Sequence, residues 1–89
     1  MELKADKKVD IIERFFEKIE IDGICSFFVD KDEEDNIQII LVIDRDYLEN
    51  QQNLENSVII NNIKLNIYQK LRNYLGFTGI YVGNIVKKC

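Results

Sequence analysis

Cys25 and Ser26 stand side by side in the segment Ile24–Asp30, ICSFFVD, and are the chain's candidate nucleophiles within a strand. A thiol or hydroxyl needs a neighbouring base to become reactive. The commonest such base is histidine, and the 89 residues include none. Cys25 therefore reads as an inert thiol buried in an apolar strand, and Ser26 as an ordinary strand serine. Four aspartates, Asp30, Asp32, Asp44 and Asp46, could share acid and base roles if two of them met. No apolar residues enclose them in sequence, so they read as ordinary strand-end carboxylates. The chain has no CxxC, no P-loop and no GxGxxG, and Thr78-Gly79 does not resemble a phosphate cradle. No catalytic residue and no cofactor site are assigned, and the chain is not expected to be an enzyme.

Binding chemistry leaves fainter traces. The run Asp30–Asp35, DKDEED, offers the oxygen ligands that suit calcium. Asp30 and Asp32 fit the first positions of a calcium loop. Asp35 then stands where the loop requires glycine, and Leu41 where it requires a bidentate glutamate. A solvated charged turn is the better reading, and no metal site is assigned. Tyr47, Tyr68, Tyr74 and Tyr81 could stack on bases, but stacking proteins add a basic groove. With a formal charge of −4 the chain repels phosphate unless its cations cluster. Lys7, Lys8, Lys87 and Lys88, near the two ends, are the set that could do so. The expectation is no nucleic-acid partner.

Composition bounds the rest. A chain of this length forms one small domain, and residues 1–89 are read as such. It buries only about 60–65% of its unfolded surface, so it gains from a partner. Hydrophobic residues make up 46% of it, enough for a core, and proline is absent. No apolar run approaches the ~18–20 residues of a membrane span, and the start, MELKADKK, lacks the apolar centre of a signal peptide. A cytoplasmic location is expected. Two cysteines, Cys25 and Cys89, do not suggest a disulfide framework in such a chain.

The elements that must position these residues are legible in order. Asp6–Glu20 reads as a helix, because Val9, Ile12, Phe16 and Ile19 recur at three, four and three. Asp6 is its expected N-cap, and Asp22-Gly23 closes the segment. Ile24–Asp30 is a strand rich in aromatic and β-branched residues, and Lys31–Asp35 is the hairpin tip. Asn36–Asp44, NIQIILVID, alternates with period two and is apolar on both faces, as in a central strand. Arg45–Ser57 is a long polar connection with room for a helical turn. It holds Tyr47, Leu48 and Leu54, which make it a candidate contact loop. Val58–Leu75 is the second helix, with Ile60, Ile63, Ile67, Leu71 and Leu75 on one face, Ser57 as cap and Gly76 as terminator. Thr78–Val86 is the third strand, in which Gly83 marks a bulge or a close approach.

The resulting fold class is α+β, in the order α-β-β-α-β. A hairpin and a right-handed crossover give a three-stranded mixed sheet of order 1-2-3 with two helices on one face. The opposite face would carry residues from among Ile24, Phe28, Ile40, Val42, Tyr81 and Ile85. A bare apolar sheet face invites association. The expected partner is a second copy, with Ile40, Val42, Phe28 and Tyr81 at the interface; another protein is the further candidate.

Three pieces, IIERFFEKIE, FFVDKDEEDNIQIILVID and NNIKLNIYQKLRNYLGFTGIYVGNIV, carry a resemblance. In spacing and residue type, from about Ile11 to Val86, they are similar to the small C-terminal domain of phenylacetate–CoA-ligase-type adenylate-forming enzymes. Neither the large adenylation domain nor the glycine- and lysine-bearing tail is present, so no catalytic role passes to Lys87 or Lys88. The resemblance implies a detached, non-catalytic relative. The element order is also similar to the cytoplasmic dimerisation domain of cation-diffusion transporters, to KH-like RNA-binding folds and to alkaline-shock-type proteins. The absent histidines argue against metal sensing and the acidity against RNA. A small binding or regulatory domain acting as a homodimer is the leading expectation. An accessory domain akin to the ligase lid and a KH-like RNA-binding module are the alternatives.

Overall fold

A chain whose most apolar strand lies in its middle must cover that strand from several directions, and the architecture follows from this. The structure, a computed structural model, describes residues 4–51 and 53–89. Residues 1–3 of the MELKADKK start and residue 52 of the polar connection lie outside the described residues. The elements are α1 (Ala5–Lys18), β1 (Ile24–Lys31), β2 (Ile37–Asp44), α2 (Arg45–Asn50), α3 (Asn56–Lys70), a π-helical last turn (Leu71–Leu75) and β3 (Tyr81–Lys87). The sheet order is β1-β2-β3, with β1 antiparallel and β3 parallel to β2. The fold is thus α+β, with the expected α-β-β-α-β order enriched by the short α2.

Alternation along β2 divides the molecule. Ile37, Ile39, Leu41 and Ile43 point to one side and are buried with Ile12 and Phe16 of α1 and Ile59, Ile63, Ile67 and Leu71 of the α3 segment. Both long helices therefore lie on one face of the sheet. Burying a large aliphatic side chain stabilises by about 1.5–3 kcal/mol, so this layer supplies most of the driving force.

Helix ends differ from the sequence reading. The N-cap of α1 is Lys4, which has no side chain that can accept from the first turn. Asp6 lies within that turn, 2.9 Å from the Lys31 ammonium. The carboxylate thus favours the positive helix end and holds the Lys31 pKa above its ordinary 10.5, mainly through that hydrogen bond. The helix stops at Lys18, short of Glu20, because Ile19 turns extended and packs on the core with Ile21. The cap of α3 is Glu55, without a side-chain bond, rather than Ser57. Ile59, not Ile60, is the first fully buried position of that helix. Gly76 does terminate the segment, with φ +70°.

The polar connection folds back on the core. Asp44 accepts from the Asp46 N–H at 3.2 Å and so caps α2. Leu48 is buried in the core, and Tyr47 packs beside it. Of the candidate contact loop Tyr47, Leu48 and Leu54, only Leu54 is left exposed.

Candidate interaction face

Cross-strand neighbours in a sheet project to the same side, so the register defines what lies opposite the helices. Three rows result: Ser26–Val42–Ile85, Phe28–Ile40–Gly83 and Asp30–Gln38–Tyr81. No described helix covers them. Phe28 is 60% exposed, Tyr81 61% and Ile85 48%, a cluster of wet apolar side chains. Ile40 is half-buried beneath it. Glycine at position 83 leaves room for Ile40: a Cβ there would stand 3.0 Å from the Ile40 Cδ1. The sequence's expectation of a close approach at Gly83 matches this contact. Ile24 departs from expectation by packing toward the helices. The cause is an irregularity in the β1–β2 register between Ile24 and Ser26, which leaves Cys25 unpaired as the extra residue of a bulge.

The bulge changes the reading of the cysteines. Cys25 is exposed rather than buried, and it is joined to Cys89 by a disulfide with a Cα–Cα separation of 6.4 Å. The two residues are 64 positions apart, and only the parallel docking of β3 brings them together. Beside the bridge is a cleft of about 290 Å³ lined by Ser26, Phe28, Val42, Ile85 and Lys87 as well as the two half-cystines. Val42 lies on the open side, as expected for an interface residue, yet it is only 5% exposed.

The other candidate chemistry disperses. Asp30 and Asp32 lie near the start of β2 and Asp44 and Asp46 at its end, about 20 Å apart along a strand of this length. Asp32 organises the hairpin tip, accepting from the Glu34 N–H and the Asn36 N–H, each at 2.9 Å. The Asn36 N–H bond is the chief cause that lowers its pKa below 3.8. Asp35 takes the left-handed conformation, φ +63°, at the position where a calcium loop has glycine. Among the described residues no group of three metal-ligating side chains converges.

The lysines and tyrosines do not gather either. Lys8 lies by Phe77, near the Ile37 end of the sheet, whereas Lys87 pairs in register with Asp44 at the opposite end. Tyr68 accepts the Val82 N–H at 3.2 Å. Tyr74 lies beside Phe15, Tyr47 beside Gly23, and Tyr81 on the open face. No described helix is long and apolar enough to cross a membrane.

No family model, curated protein or solved structure matches the chain.

Proposed function

We propose that this chain is a non-catalytic protein-interaction domain that works as a homodimer through its open sheet face. The observation that carries the reading is the exposure of Phe28, Tyr81 and Ile85 in one patch, on the side of the sheet that the helices leave bare. A cluster of exposed apolar side chains on an uncovered sheet face is a candidate association site.

The charges at the rim favour a second copy as the occupant. Asp30 and Lys87 stand at diagonally opposite corners of the open face, one on each edge strand. A two-fold axis in the plane of the face, perpendicular to the line that joins them, would lay each copy's Asp30 over the other's Lys87, so the face is complementary to itself. The face has a footprint on the order of 300 Å², from strands about 4.8 Å apart and paired rows about 6.7 Å apart. That is well under the roughly 800 Å² a side of a standard interface. Association is therefore weak and concentration-dependent. The acidic, lysine-rich composition supports a cytoplasmic setting without nucleic acid.

Charge reversal tests the arrangement. Asp30→Lys and Lys87→Asp should each weaken association by about fivefold, and the double reversal should restore it. Light scattering that shows a monomer throughout the tens-of-micromolar range both with and without dithiothreitol, or a double variant no better than the singles, would overturn the reading.

A further inference from the structure

The open face and the disulfide share one end of the sheet. Val42 is flanked in its row by Ser26 and Ile85. Serine is too small to shield a valine from water, and Ile85 is itself 48% exposed. Phe28 and Ile85 line one cleft with Val42 and the two half-cystines, and the Cys25 Sγ lies 3.5 Å from the Val42 carbonyl oxygen. After β3 the backbone continues to Cys89, whose bond to Cys25 runs from beyond one edge strand to the other, past Val42 of the central strand. The bridge therefore straps the third of the open face that holds Val42.

We infer that the Cys25–Cys89 pair is a reversible redox latch on the interaction face, closed by a small-molecule disulfide and opened by thiols, and that closing it disfavours the homodimer. This rests on the face-to-face reading above. Both half-cystines belong to exposed residues, so exchange partners can reach them. On closing, one cysteine thiolate attacks a sulfur of the oxidant, for example oxidised glutathione, and displaces one thiolate. The second cysteine thiolate then attacks the mixed disulfide and displaces the other. Two S–H bonds of the protein are lost and one S–S bond forms. The oxidant's S–S bond is reduced, and its two sulfurs take up the two protons. On opening, the strap parts, the segment after Lys87 is freed, and Val42 joins Phe28, Ile40 and Ile85 on the surface offered to a second copy.

The test uses the full chain equilibrated with dithiothreitol or with oxidised glutathione. The oxidised protein should be lighter by two hydrogen atoms. At submicromolar protein, where each form is monomeric, the reduced form should bind more anilinonaphthalene sulfonate, with an unchanged circular dichroism spectrum. Sedimentation should show the reduced form associating about tenfold more tightly. Cys25→Ser/Cys89→Ser should behave as the reduced protein in both buffers. A mass that does not change, or dye binding equal in the two states, overturns the latch. Equal association of the two forms overturns its control of the dimer and leaves the dimer standing. If neither form associates, the dimer reading is lost, and with it the regulatory part of this inference, while dye binding still decides whether the strap covers the face.

Discussion

Gly23 takes φ +90°, a conformation in which an L side chain is strained, and it has the Tyr47 ring directly above it. A methyl group added there would lie 2.6 Å from the Tyr47 Cδ1. Gly23→Ala should therefore cost both backbone strain and displacement of a packed ring, about 2–3 kcal/mol together. Gly76→Ala, at φ +70° with nothing within 4 Å of the added carbon, should cost only the strain, about 1 kcal/mol. Urea unfolding of the two variants checks the difference, and equal losses would mean that the Tyr47 contact carries no weight. Both glycines were legible as turn residues, because a positive φ is a local requirement. The crowding at Gly23 was not, since the ring comes from a helix more than twenty positions away. The cysteine pairing was hidden for the same reason. Its partners meet only through strand order, and Cys25 is exposed because a bulge, invisible in composition, takes it out of the pairing pattern.

At the scale of elements, α2 shows what short segments conceal. Six residues, RDYLEN, are too few to display a helical period, and five of them are polar or carry a polar end. What forms the helix is a cap at its start, Asp44, and one buried anchor, Leu48. Leu48→Ala should destabilise by about 2–4 kcal/mol through transfer and cavity terms. Leu54→Ala, at a site 51% exposed, should stay within about 0.5 kcal/mol of the parent. Chemical denaturation of both reads the contrast; equal effects would mean that α2 is not anchored by Leu48. The long elements were far easier to read. Strict alternation along β2 and a three-four spacing along the helices report directly which side meets the core. Helix starts were misplaced because Asp6 and Ser57 have the right chemistry for caps but sit inside the first turns, where Asp6 serves an ion pair instead.

For the molecule as a whole, β2 is bonded on both sides and β1 and β3 on one. Amide hydrogen exchange should be slowest along Ile39–Ile43 and fastest at the hairpin tip; comparable protection across all three strands would contradict a β2-centred core. Strand order and the side of the helices followed from the sequence because a doubly apolar strand belongs in the middle. What was not legible is how much of the second side stays bare: the strap over Val42 depends on the last residue meeting the first strand. The two neighbours of β2 also arrive by very different routes. β1 joins through a hairpin whose tip spans residues 32–36, while β3 starts only after residues 45–80 have intervened. At translation speeds of about 5–20 residues per second, that delay amounts to roughly two to seven seconds. Throughout it the segment IQIILVID presents an unpaired, proline-free, strongly apolar edge. Such an edge is a template for pairing with another nascent chain. The time during which this protein is most exposed to misassembly is thus set by the length of its crossover, not by the stability of its finished fold.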